Sequence, residues 1–230
     1  MTNKVLPGLS SRIVNKKESN VDSCKVFTID QIEENFKKSI RAFDRYLKHS
    51  SNFYKNGKNK FSQDLNKVLL ASLESSFDYF VHCTVKLAFN NIFLQIWCSN
   101  QFYEKYPIPM GVVNKLIANN TDSSPLINFI NERTSADTYM SYDKFKDILK
   151  CISDNFLDSV VSDLYSSKYD ELKELMTSIY KKRNIIAHQD GRVNVNGKRI
   201  RITIDELQNY RNQINKLVEK MIEKIKQISC

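Results

Sequence analysis

Residues 169–191 read YDELKELMTSIYKKRNIIAHQDG, and this stretch decides which fold the chain adopts. Apolar residues recur in it at spacings of three and four, which predicts one face of an amphipathic helix: Leu172, Leu175, Met176 and Ile179. The glycine at Gly191 is a natural C-cap for such a helix. The stretch therefore predicts a helix from about Tyr169 that packs on a core and stops close to Gly191.

Helical patterns continue on both sides of this segment. Capping boxes T-I-D-Q at Thr28 and T-I-D-E at Thr203 predict two further helix starts, and a long helix is expected over about 62–97. The region 50–59 is rich in turn-forming residues and predicts a connection. Five Gly and four Pro are too few for the many tight turns of a β-meander, so an all-α bundle is expected.

The terminal helix carries an apolar seam at alternating spacings of three and four: Leu207, Tyr210, Ile214, Leu217, Met221, Ile225 and Ile228. This spacing is typical of a coiled coil and also of a helix packed inside a bundle. Before this helix, hydrophobic and polar residues alternate around Asn196-Gly197. That alternation predicts a short β-hairpin near 193–202.

The chain is expected to form one folded domain. Residues 1–26 are polar and are interpreted as a flexible arm, and residues 27–230 as a single helical domain. Within that domain, residues 100–141 carry three of the four prolines and are interpreted as an irregular insertion that packs on the bundle.

Composition limits the classes of function. The formal charge of +9 favours a polyanionic partner, either nucleic acid or anionic lipid. The five cysteines are scattered and form no CxxC pair, so neither a zinc site nor a disulfide framework is expected. Since no signal peptide is visible and no apolar stretch approaches the ~20 residues of a membrane span, a cytoplasmic protein without membrane contact is expected.

The chemistry-bearing residues concentrate where the helix of residues 169–191 ends. Seven Lys and Arg but one acid lie between Lys181 and Arg201. This basic run is either a solvated surface or a surface that holds a phosphate backbone. Arg183 falls inside the apolar stripe, where an arginine is costly unless it meets an anion, a partner or a subunit interface.

Arg183 and His188 do not share a helix face. They are five residues apart, which directs them roughly 140° away from each other on an ideal helix. They converge if the helix breaks near His188, if the long Arg183 side chain reaches round, or if a second protomer completes the site. The third option favours a symmetric dimer.

The motif R-N-I-I-A-H at 183–188 resembles the Arg-x4–6-His motif of the HEPN superfamily. The upstream A-S-L-E-S-S-F-D-Y-F at 71–80 and the T-I-D-E-L-x-x-Y of the closing helix are also similar to the prokaryotic RiboL-PSP-type group. The resemblance implies a HEPN-like helical bundle that dimerises with two motifs facing each other. It also implies a metal-independent endoribonuclease of a toxin, abortive-infection or antiphage defence system, with no cofactor and with an antitoxin or regulatory partner.

Carried onto this chain, the resemblance assigns roles to three residues. Arg183 binds the scissile phosphate of RNA, His188 moves protons, and Asn184 positions the phosphate or the histidine. The surrounding basic residues are expected to contact the RNA backbone: Lys181, Lys182, Arg192, Lys198, Arg199 and Arg201. Tyr180 either stacks on a base or packs in the core.

Two other functions remain open at this point. One is a non-catalytic HEPN module that binds RNA or a protein, because many domains of one fold lack the activity of their relatives. The other is a coiled-coil scaffold built on the terminal seam, which would leave the R-N-x-x-A-H motif unexplained.

Overall fold

A computed structural model describes residues 25–118, 122–165, 169–189, 191 and 199–228. These residues form an all-α structure with nine helices and no β-strand. The helices are α1 (Ile29–Lys55), α2 (Asn59–Phe93), α3 (Gln101–Glu104), α4 (Met110–Ala118), α5 (Ser124–Thr134), α6 (Tyr142–Leu149), α7 (Phe156–Tyr165), α8 (Tyr169–Gln189) and α9 (Ile204–Lys226). The predicted all-α class is confirmed, and the predicted arm 1–26 lies outside the described residues except for Lys25 and Val26.

Helix α2 is the central element of the bundle. It packs against α1, α5, α8 and α9, and many of its large apolar side chains are fully buried, including Leu70, Phe77 and Phe89. A helix of 35 residues that contacts four others must be apolar on several sides, which explains why its buried positions do not form one narrow stripe.

Helix α1 begins at the predicted capping box and runs further than expected. The Thr28 hydroxyl accepts from the Gln31 N–H, while the Gln31 side chain accepts from the Thr28 N–H. The predicted connection over 50–59 is present but shorter than expected, because α1 continues to Lys55 and α2 begins at Asn59. Ser50 is buried rather than exposed in a loop, and its hydroxyl donates to the Asn66 side chain of α2 over 2.6 Å.

The predicted β-hairpin near 193–202 is not confirmed. Residues 192–198 lie outside the described part of the chain, and residues 199–202 form no strand. The backbone of Ile202 bonds to side chains of α2 instead of a partner strand. Its carbonyl accepts from Asn66 at 2.7 Å and from Gln63 at 3.2 Å, and its N–H donates to Gln63 at 3.2 Å. Ile202 itself is fully buried, so this residue of the alternating pattern anchors the segment before α9 to α2.

The seam of α9 is core. Leu207, Ile214, Leu217 and Met221 are fully buried against the rest of the bundle, and Ile225 is nearly so. This burial leaves no apolar seam on α9 for a coiled-coil partner, and the scaffold interpretation loses its basis.

The stretch 100–141 is built from short helices, and its α5 packs on α2. Leu126, Ile127 and Ile130 of α5 are fully buried at that contact. Of the helices described, none is long and apolar enough to cross a membrane.

Candidate functional site

Helix α8 carries the R-N-x-x-A-H motif and is regular through its whole length. It continues past His188 to Gln189 and ends before Gly191, whose φ of 71° is the left-handed conformation that glycine adopts most easily. The Gly191 N–H donates to the Ile185 carbonyl at 3.0 Å. The predicted glycine stop is therefore confirmed. A break of the helix before His188 is excluded as the way to bring His188 and Arg183 together.

The anion that Arg183 requires is Glu74 of α2. The Arg183 Nε lies 3.4 Å from the Glu74 Oε2, and Glu74 is only 3% exposed. The other carboxylate oxygen accepts from the Thr138 hydroxyl at 3.0 Å. An acid buried to this degree is tolerated because both of its oxygens have a polar partner.

The guanidinium of Arg183 is held on two sides. Glu74 contacts Nε, and Nη1 donates to the Asn184 side-chain oxygen at 3.2 Å. The Arg183 side chain remains 33% exposed. Because a guanidinium has five N–H donors in a rigid fork, the fixed group retains donors for an external anion such as a phosphate.

Burial raises the pKa of the Glu74 carboxyl above its ordinary value of 4.5. Desolvation is the largest cause, and the positive charge of Arg183 and the hydrogen bond from Thr138 offset part of it. The pair therefore carries a desolvation cost that its own attraction reduces but does not remove.

Two further polar residues of α2 follow Glu74 on successive turns of the same face. Asp78 accepts from the Tyr139 N–H at 2.5 Å, and its other oxygen lies 3.6 Å from His82 Nε2. His82 also lies 3.4 Å from the Asp137 carbonyl. These contacts bind the chain segment after α5 to α2, which gives His82 a structural role. Across the described part of the chain, no group of three His, Cys, Asp or Glu could hold a metal ion.

His188 lies apart from Arg183. Its side chain is exposed, and in the described structure no hydrogen bond joins the two residues. Since α8 is regular, the roughly 140° between them applies. One chain therefore presents an anchored arginine and an exposed histidine on different sides of the same helix.

The predicted RNA-contacting residues have different surroundings. Lys181, Arg199 and Arg201 are exposed, whereas Tyr180 is partly buried against the core. Arg192 and Lys198 lie outside the described residues.

Lys182 belongs to a network between α8 and α9. Its ammonium contacts the Glu206 carboxylate and donates to the Tyr210 hydroxyl at 2.9 Å, and Ser178 lies 2.6 Å from that hydroxyl. Burial lowers the pKa of Lys182. Glu206 was expected to complete the capping box at Thr203 but turns to Lys182 instead, while Thr203 still caps the helix by accepting from the Glu206 N–H.

Sequence reasoning missed Glu74, although a signal was present. Glu74 follows Leu73 and precedes Phe77 in the inward part of α2, so it is an acid at a core position. When an acid and an arginine both occupy apolar stripes of helices, they are candidates for a buried ion pair with each other.

No protein-family model, curated protein or solved structure matches this chain.

The pH dependence of folding tests the buried pair. Because the pKa of Glu74 is raised in the folded state, the folded protein binds the Glu74 proton more tightly than the unfolded chain does. This proton binding stabilises the fold fully below about pH 4.5, and the stabilisation is lost as the pH rises through the raised pKa. Glu74→Gln stays neutral, so its free energy of unfolding minus that of the parent should increase with pH above 4.5. Urea unfolding across this range measures the difference. Glu132→Gln, at an exposed position of α5, controls for the lost charge. A difference for Glu74→Gln that stays constant or falls would contradict the assigned cause.

Proposed function

We propose that the protein is a metal-independent endoribonuclease of the HEPN type. The observation that carries the proposal is the anchored guanidinium of Arg183, held by a buried acid and by Asn184 with one side open to solvent. A fixed and partly exposed guanidinium is suited to bind a phosphate and to stabilise the charge that develops on its oxygens.

The chemistry requires no metal-bound water, because RNA carries its own nucleophile. In the proposed reaction His188 accepts the proton of the 2′-OH, and the 2′-oxygen attacks the adjacent phosphorus. The bond from phosphorus to the 5′-oxygen breaks, and that oxygen takes up a proton. The products are a 2′,3′-cyclic phosphate and a 5′-hydroxyl. Histidine suits this role because its ordinary pKa of ~6.5 lets it accept and release protons near neutral pH.

A homodimer is part of the proposal. Arg183 and His188 diverge on a regular α8, so a site that uses both is most directly completed by a second copy of the chain. In a symmetric pair, Arg183 of one protomer would face the partner's His188, and the arrangement would occur twice.

The proposed setting is the cytoplasm, with cellular or phage RNA as substrate and a role as a toxin or antiphage effector. An antitoxin or another regulatory partner would then restrain the enzyme. These elements rest on the resemblance of residues 183–188 to the HEPN motif.

The alternative is a non-catalytic HEPN module that binds RNA or a protein. The observation that favours it is the engagement of Arg183 by Glu74, which gives the arginine a structural role without any substrate. If the parent protein binds RNA but does not cleave it, this result would support the alternative.

Replacement of His188 tests the catalytic assignment. The parent should cleave a labelled oligoribonucleotide in EDTA, and His188→Ala should lose at least the ~10²-fold that general acid–base catalysis contributes. The matched control is His49→Ala, which removes an exposed histidine on α1 and should cleave like the parent. Equal cleavage by the parent and His188→Ala would remove His188 from the mechanism.

Mixing two inactive variants tests the composite site. When Arg183→Ala and His188→Ala are co-expressed, a mixed dimer retains one site in which both residues are present. Random pairing should then restore about a quarter of the parental activity, measured on the co-purified dimer. If each site lies within one chain, no activity returns and the proposed dimer arrangement is wrong.

A further inference from the structure

A basic groove lies beside the first turns of α2. It has a volume of about 880 Å³ and lies between the first turns of α2 and the segment before α9. Its lining consists of Lys60, Gln63, Asp64, Lys67, Arg199, Ile200 and Arg201. Four cations and one carboxylate give the groove a net charge of about +3, which suits a polyanion.

The groove and the candidate site share one face of α2. Lys60, Lys67 and Glu74 are spaced seven residues apart, so they lie close to one line along the helix. Glu74 is the residue that holds Arg183. The rise of α2 separates Lys60 from the buried Glu74 by about 20 Å, a distance that a strand of several nucleotides can span.

Lys67 connects the groove with the end of α8. An added Cβ at Gly191 would lie 3.6 Å from the Lys67 side chain, so the lysine stem packs beside the glycine that closes α8. The Lys67 ammonium contacts the Asp64 carboxylate at 3.1 Å; the Lys67 side chain is 14% exposed and that of Asp64 is 53% exposed. An ion pair with an exposed acid is weak enough for a phosphate to replace the acid.

We infer that this groove, centred on Lys60 and Lys67, binds the phosphate backbone of single-stranded RNA and guides the strand to Arg183. The inference rests on the proposed function for the identity of the ligand, and it adds two residues that the basic run at 181–201 does not contain. A concave groove that follows a helix suits a strand better than the flat surface of a membrane. Lysines there would set affinity rather than sequence preference.

The salt dependence of binding tests the inference. Binding of a fluorescein-labelled single-stranded oligoribonucleotide to the full-length chain is measured by anisotropy at several salt concentrations. Each lost phosphate contact makes the fall of log K with log salt shallower by about 0.7, so Lys60→Ala/Lys67→Ala should make it shallower by about 1.4. For equal binding at about 1 M salt, this change in slope corresponds to roughly 25-fold weaker binding at about 0.1 M salt.

Two variants keep the test independent of folding. Lys38→Ala/Lys216→Ala removes the same charge from exposed positions of α1 and α9 and should bind RNA like the parent. Asp64→Asn removes the acid of the groove and should bind RNA several-fold more tightly, a gain that a misfolded protein cannot show. Parental affinity and slope in the Lys60→Ala/Lys67→Ala variant would overturn the inference.

The groove and the nuclease can fail separately. If His188→Ala abolishes cleavage while Lys60→Ala/Lys67→Ala binds RNA like the parent, the groove is wrong and the nuclease stands. If neither the parent nor any variant cleaves RNA, but RNA binding depends on Lys60 and Lys67, the groove stands and the nuclease is wrong. The Lys60→Ala/Lys67→Ala variant is also tested for binding to anionic phospholipid vesicles. If it binds these vesicles more weakly than the parent but binds RNA equally well, the assignment of the groove to RNA is wrong.

Discussion

The buried ion pair between Glu74 and Arg183 is the constraint on which the site depends. It joins the central helix α2 to α8, and removal of Arg183 would leave the buried Glu74 carboxylate without a compensating charge. The same contact fixes the direction of the guanidinium and leaves part of it exposed.

The helices were largely predictable because their signals are local. The capping box at Thr28 and the glycine at Gly191 lie where α1 begins and α8 ends, and the seam of α9 is buried as its spacing predicts. Two departures from the predictions, the longer α1 and the strand-free backbone at 199–202, share a cause. Ser50 and Ile202 both bond to Asn66, and these contacts join residues far apart in sequence that no local pattern reveals.

The sequence predicts that Arg183 needs an anionic partner, but it does not predict that this partner is Glu74. An arginine in an apolar stripe requires an anion, yet the choice of Glu74 among 26 acidic residues depends on how α2 and α8 pack. Likewise, the number of basic residues between 181 and 201 does not reveal which way each side chain points. Lys182 turns to Glu206 and Tyr210, whereas Lys60 and Lys67 reach the groove from another part of the chain.

The central claim is that this chain cleaves RNA through the 2′-OH of the substrate. The most direct measurement compares an oligoribonucleotide with the same oligonucleotide built from 2′-deoxy residues, incubated with the purified protein in EDTA. The account predicts that the RNA is cut to 2′,3′-cyclic phosphate ends and that the 2′-deoxy strand stays intact. Cleavage of both strands, or RNA products with 3′-hydroxyl ends, would contradict it.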